Sequence, residues 1–422
     1  METTNRRTIG FWILATTVVT FFAASSAPSP LYVVYQQRWD FSALTLTLVF
    51  ASYALALLVA LLVLGGLSDF VGRRPVIAGA LLVELASMAF FLTAHGVAEL
   101  FAARIVQGLA TGAAAGAMSA AIADLTPSGR TSLTAAVNTA APAFGLALGA
   151  LASGALVQYA PDPRTLIYAL LAVLFAVLLV ALAVVPESAS RRSGARHSLL
   201  PRVAVPASAR RAFRVAVPVL IASWAVGGVM LSLGPSLAVG VFGAHNHLVG
   251  GLVVTAVAGV SSLASVLARG RDPRSTMVQA CFGLSAGIAV VLVSLGLTST
   301  VLFFAGLVIT GAGFGAGFVS ALGSVGPLAA PDERAELFAS LFVVSYGGFG
   351  GSAVLAGLAV PHLGLRPTAV WFGVVVIALA LLAAGAELVG RSRATSAATS
   401  ALVQPTETVE ALESRLSRAV AR

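Results

Sequence analysis

The sequence contains no lysine, one cysteine and few charged residues of either sign. A lone Cys281 excludes an intramolecular disulfide and a cysteine-based zinc site. Charged residues make up 10% of the chain, against about 25% in soluble domains. Hydrophobic residues reach 58% before the 42 glycines are added, where soluble domains hold roughly 45–50% with glycine included. A water-soluble globular fold is therefore excluded. No Walker-type phosphate loop, metal-ligand cluster or nucleophile–base pair occurs in any loop, so neither a primary pump nor an enzyme is expected, and no cofactor. With lysine absent, all 25 basic residues are arginine, and the net charge is +9. Nucleic-acid binding would need a basic face on a soluble domain. Here the arginines stand between apolar runs, so no nucleic-acid partner is expected and the charge reports membrane topology.

A bilayer core of about 30 Å needs roughly 20 apolar residues per helix. On that rule the chain divides into twelve spans, at 9–33, 43–67, 75–94, 98–123, 132–158, 165–185, 213–238, 247–268, 276–296, 300–325, 336–360 and 367–390. The expected fold is an all-α membrane protein, with two six-helix bundles around a central cavity. Residues 1–185 form the first bundle and 213–390 the second. The Pro- and Arg-rich stretch 186–212 links them, and 391–422 form a polar tail whose last part, Thr406 to Arg422, reads as either an amphipathic helix or a disordered segment.

Starting with the N-terminus inside, 21 arginines fall on inside segments. Only Arg38, Arg164 and Arg366 fall outside, and Arg104 alone lies within a span. The positive-inside rule then places both termini in the cytoplasm. Arg6-Arg7, the apolar run behind them and Ala23-Ala24-Ser25-Ser26-Ala27 resemble a cleavable secretory signal, but cleavage would leave eleven spans and spoil a repeat. The absence of lysine suggests a high-GC bacterial genome, hence a bacterial cytoplasmic membrane.

That repeat has an offset of about 200 residues. Ala27-Pro28-Ser29-Pro30-Leu31 is echoed by Gly234-Pro235-Ser236-Leu237, Pro127-Ser128-Gly129-Arg130 by Pro331-Asp332-Glu333-Arg334, and Gly72-Arg73-Arg74-Pro75 by Arg271-Asp272-Pro273-Arg274. Gly108, Gly112 and Gly116 in the fourth span match Gly311, Gly313, Gly315 and Gly317 in the tenth. Parallel six-helix repeats enclosing a midplane site are a transporter plan. Glycines four apart share a helix face and admit a neighbouring backbone, whether for static packing or for sliding. Pro28, Pro30 and Pro142 remove backbone donors and favour kinks.

These residues resemble the major facilitator superfamily. The most specific mark is Gly65-Gly66-Leu67-Ser68-Asp69-Phe70-Val71-Gly72-Arg73-Arg74-Pro75, which fits the family's G-x-L-x-D-x-x-G-R-[RK] loop at every fixed position. Arg104-Ile105-Val106-Gln107-Gly108 resembles its R-x-x-Q-G element, and Asp124 and Arg130 resemble the acid and base flanking its fourth loop. Nearest is the drug–proton antiporter branch, whose G-x-x-x-G-P-x-x-G-G motif appears only as Ala141-Pro142-Ala143-Phe144-Gly145-Leu146, with Ala141 and Leu146 where that segment of the motif has glycine. The resemblance implies a latch of Gly65, Asp69, Gly72, Arg73, Arg74, Asp124 and Arg130. In it Asp69 faces the start of the eleventh span, where the helix dipole favours an anion by about 0.3–1 kcal/mol, and Arg73 pairs with Asp124.

Charge within the membrane costs about 2.5–3.5 kcal/mol and marks functional candidates. Arg104 lies about seven residues, roughly 10 Å, from the outer end of its span. The family plan puts that span on the cavity. Glu84 lies near the midplane, either structural and paired with a neighbouring polar group or part of the coupling. The first span has no acid, which excludes a carboxylate proton site there. Other cavity candidates are Tyr32, Gln107, Asn138, Trp224, Ser232 and Tyr346, each also readable as helix packing. Trp12, Trp39 and Trp371 read as interfacial anchors. His245 and His247 read as solvated loop histidines or as sensors of external pH.

The expected function is secondary transport of small amphipathic molecules by alternating access, driven outward by a proton gradient. A nutrient importer or facilitator of the same fold, and a non-transporting membrane sensor or enzyme, are the alternatives. The partners expected are the lipid bilayer and a small-molecule substrate, with the chain as a monomer.

Overall fold

The computed structural model describes residues 2–126, 130–244, 246–403 and 417–421, and no strand occurs among them. Twelve helical spans are long and apolar enough to cross a bilayer. In chain order, spans 1 to 6 are Asn5–Trp39, Ala43–Leu64, Arg73–Leu92, Val97–Asp124, Ser132–Tyr159 and Leu166–Val184. Spans 7 to 12 are Arg210–Ser232, His247–Leu267, Pro273–Leu297, Thr300–Leu328, Arg334–Leu363 and Leu365–Gly390. Side chains that satisfy orphan amides set several starts. Ser42 accepts from the Thr45 amide, Asn246 from Leu248, Asp272 from Ser275 and Ser299 from Leu302. The outer surface is apolar, with Val301 80%, Val180 75% and Leu382 67% exposed, as a lipid-facing belt requires.

The helices depart from the sequence reading at several span ends and at the prolines. The helix of span 12 does not stop at Gly390 but runs Leu365–Val403, so the tail begins as a continuation of it. Composition marks where apolar character ends, but a polar helix can continue into water. Most of Thr406 to Arg422 lies outside the described residues, and residues 417–420 are helical. Pro142 sits inside an unbroken helix, Thr131–Tyr159, whereas Pro28 begins a new helix, Pro28–Trp39, after Glu2–Ser26 ends.

The repeat is physical. Span 1 breaks at Ala27 before Pro28, and span 7 ends at Leu233 before a second segment, Gly234–Phe242. The two breaks touch, because the Ser29 hydroxyl donates to the Leu231 carbonyl at 2.6 Å. Span 4 lays its glycine face on span 2, where a methyl at Gly108 or Gly112 would overlap the Tyr53 or Leu57 carbonyl. Span 10 does the same on span 8, with Gly311 against Val257 and Gly315 against Ser261. Gly145 and Gly149 of span 5 press on span 1, as Gly348 of span 11 presses on span 7.

Spans 1–6 and 7–12 thus form two equivalent bundles, which meet along span 5 with span 8 and span 2 with span 11. On the first line Gln158 accepts from the His247 amide at 2.8 Å, Thr255 donates to the Ala147 carbonyl and Ser262 to the Ala140 carbonyl. On the second, Thr47 meets Gly357, and Ala51 and Ala54 meet Gly350. At the face where odd-numbered spans end, only Arg38 in the last turn of span 1, Arg164 in the loop before span 6 and Arg366 at the start of span 12 are arginine, so one face is arginine-poor and the other arginine-rich.

Candidate functional site

Arg104 and Glu84, the two charged residues expected within the membrane, are brought together. Arg104 on span 4 is 1% exposed and Glu84 on span 3 is fully buried, with Gln107, one helical turn beyond Arg104, between them. Arg104 Nη1 donates to Gln107 Oε1 at 2.6 Å, and Gln107 Nε2 donates to Glu84 Oε1 at 3.2 Å. Both side chains also hold span 1 near its break. Arg104 Nη1 reaches the Ser25 carbonyl at 2.9 Å, and Gln107 Nε2 reaches the Ala24 carbonyl at 3.1 Å. The guanidinium lies over the Tyr53 ring at 4.1 Å, and Tyr53 donates to the Ser25 hydroxyl at 2.7 Å. No direct ion pair joins Glu84 to Arg104 among the described residues; the amide relays between them. Glu84 Oε2, Arg104 Nε and the buried Tyr32 hydroxyl have no hydrogen-bond partner.

Across the interface stands an aromatic wall. Arg104 lies 5.8 Å from the Phe50 ring, and Phe50 packs on Phe349 of span 11 at 4.9 Å. Trp224 of span 7 sits among Phe314, Phe318, Tyr346 and Phe349, with centroids 4.9–6.3 Å away. The Trp224 indole nitrogen is buried without a partner, although a buried indole N–H usually has one. Tyr32, Gln107, Trp224 and Tyr346 therefore stand in or beside this region. Ser232 does not, since its hydroxyl donates to the Gly228 carbonyl of its own helix at 2.7 Å. Asn138 is also apart, bonding the Ser119 carbonyl between spans 5 and 4.

At the arginine-rich face the loop after span 2 is organised by a residue that sequence reading missed. Gly72 adopts φ +104°, a conformation that favours glycine, and turns the chain into span 3. The first amides of span 3 have no helical partner. Glu187, just past span 6, caps them by accepting from the Arg73 amide at 2.8 Å and the Arg74 amide at 3.0 Å. Pro75 follows and needs no acceptor. Partial burial opposes the charged form of Glu187, but amides of Ala189, Arg73, Arg74 and Ser188 outweigh it and hold the carboxyl below the usual carboxylate range. The signal available was the isolated acid in Pro186-Glu187-Ser188; nothing local ties it to a loop over a hundred residues earlier.

Arg73 pairs with Asp69 and donates to the Ser68 hydroxyl at 2.7 Å and to Asp124 at 3.5 Å. Asp124 also accepts from Ser188 at 2.8 Å, and its carbonyl accepts from Arg7 at 2.7 Å. Arg74 donates to the Ala183 carbonyl. Gly65 lets span 4 approach at Gly116. Arg130 is exposed and outside this network. Asp69 is 57% exposed and bound to Arg73 rather than to the start of span 11. The linker reaches that start instead, where the Ala204 amide meets the Glu336 carbonyl and Arg202 lies 4.0 Å from its carboxylate. Trp12 and Trp371 are exposed near span ends, while Trp39 stacks on Tyr35. His245 lies outside the described residues, and His247 opens span 8.

Solved structures share this architecture, two transporters among them. The human organic anion transporter MFSD10 (TETRAN) aligns with TM-score 0.64 and 16% identity over 89% of this chain and 99% of that one. A point mutant of the nucleoside transporter NupG aligns with TM-score 0.70 and 13% identity over 90% and 99%. No curated protein sequence matches the chain closely enough to count as a relative. No cluster of metal ligands occurs among the described residues. The profile of the Major Facilitator Superfamily matches residues 13–353, four fifths of the chain: twinned bundles, the loop at Gly72 and the buried Arg104–Gln107 pair belong to a member of that superfamily, a transporter and not an enzyme.

Proposed function

We propose that the protein moves small amphipathic molecules by alternating access and exports them from a bacterial cytoplasmic membrane in exchange for protons, as in the drug–proton antiporter branch. Bundles 1–185 and 213–390 rock about the linker 186–212, with both termini cytoplasmic and the arginine-rich face inward. The observation that carries this reading is the Glu84–Gln107–Arg104 chain buried beside an aromatic wall. Ionised, Glu84 offsets Arg104 through the amide. Protonated, it leaves the guanidinium uncompensated, and the site's preference for substrate charge changes with it. Phe50, Trp224, Tyr346 and Phe349 supply the apolar surface, and the unpartnered Trp224 N–H supplies a donor to a substrate acceptor. Asp69, Arg73 and Asp124 form the latch at the inward face, which re-forms in each cycle.

The test is transport of a panel of amphipathic dyes in proteoliposomes, with and without a pH gradient, for the wild type and Glu84→Gln. The expected result is gradient-driven accumulation by the wild type. The variant keeps dye-for-dye exchange but loses accumulation. Movement indifferent to the gradient in both proteins overturns proton coupling and leaves a facilitator.

A further inference from the structure

Two of the three arginines on the arginine-poor face converge on one cavity of about 250 Å³, although nothing in their sequence positions links them. Arg38 closes span 1, Arg164 precedes span 6, and His95 follows span 3; all three line the cavity and no carboxylate does. Among the described residues, none of the three side chains forms an ion pair or a hydrogen bond within the protein. The acids nearest in sequence, Asp40, Asp162 and Glu99, form no ion pair with them among the described residues. Asp162 accepts the Thr165 hydroxyl at 2.6 Å, and the Glu99 carboxylate lies over Gly96, outside the cavity lining. The floor is aromatic and braced. Tyr35 stacks on Trp39 at 4.9 Å, Phe91 on Tyr168 at 4.4 Å, and the two tyrosine hydroxyls are bonded at 3.3 Å.

Gathering like charges at the edge of a low-dielectric slab is unfavourable, and the topology rule removes arginine from this face rather than collecting it. An anion relieves that repulsion, and a guanidinium presents paired donors suited to an oxyanion. We infer that the cavity lined by Arg38, His95 and Arg164 binds an oxyanion of the phosphate type, carried either by a phospholipid headgroup of the adjoining leaflet or free in solution. The occupant bridges spans 1, 3 and 6. It thereby fixes the Pro28–Trp39 segment, whose Ser29 bonds span 7.

Thermal unfolding and ligand titration of the full chain test this. One arm uses phosphatidylglycerol against phosphatidylcholine in nanodiscs, and the other uses inorganic phosphate in a neutral detergent. A rise in Tm with phosphatidylglycerol alone assigns a lipid headgroup, and one with inorganic phosphate as well assigns the free anion. Either result supports the site only if Arg38→Gln and Arg164→Gln each weaken binding about tenfold, the worth of one charge-assisted hydrogen bond. Arg366→Gln, on the same face but outside the cavity, must leave binding unchanged. No stabilisation in either arm, or an equal loss with Arg366→Gln, overturns the inference.

Discussion

At the scale of single residues, the loop entering span 3 depends on two groups that only work together. Gly72 at φ +104° carries a would-be Cβ 2.7 Å from the Glu187 carboxylate. Gly72→Ala therefore combines a strained backbone with a clash, costing about 1–3 kcal/mol in thermal unfolding, and transport falls with it. Glu187→Ala uncaps span 3 at a cost of about 1 kcal/mol. The pH dependence follows from the sign of the shift. Because folding lowers the Glu187 pKa, its contribution is complete above the ordinary carboxylate range and disappears as pH falls through the depressed value. The Tm difference between wild type and Glu187→Ala should be largest at neutral pH, begin to shrink near the ordinary carboxylate value of about pH 4 and close only at lower pH. A difference that stayed constant across that range would show that Glu187 does not act through its charge. The glycine and arginines of this loop were legible as a motif, but Glu187 was not, because its role is a capping contact between distant segments.

At the scale of helices, the glycines divide by what they face. Gly315 meets the backbone of Ser261, and Gly112 that of Leu57, while Gly79 on span 3 has nothing within 4 Å of its would-be Cβ. Gly315→Ala and Gly112→Ala should each destabilise by about 1–3 kcal/mol through overpacking. Gly79→Ala should leave Tm unchanged or raise it, since alanine is the better helix former. Equal effects at all three positions would rule out backbone contact as the reason for the spacing. Sequence spacing located these faces correctly, and the two halves use them on equivalent partners. It did not say that Pro28 would end a helix while Pro142 would not, nor that span 12 would continue to Val403. The proline outcomes depend on which neighbours accept the displaced backbone groups, and the extension on a polar helix continuing into water.

At the scale of the whole molecule, the bundles meet chiefly along two helix pairs, and the proposed alternating access requires one pair to part. The Cβ of Ala54 lies 3.5 Å from the position a Cβ would take at Gly350, within disulfide range. In a Cys281→Ser background, Ala54→Cys with Gly350→Cys should cross-link on oxidation and stop transport, and reduction should restore it. Full transport by the oxidised protein would show that spans 2 and 11 do not separate there.

Composition alone determined that this chain lives in a bilayer, because water cannot solvate so much apolar surface, and the lengths of the apolar runs gave the count of its spans. Motif spacing reached the family with Arg104 and Gln107, and the cost of charge within a span singled out Glu84. Only tertiary structure decided that the three form one relay, that Glu187 caps a loop after span 2, and that Arg38 and Arg164 share a cavity. Periodicity records which way each helix faces, whereas these contacts depend on how helices far apart in sequence are rotated against one another.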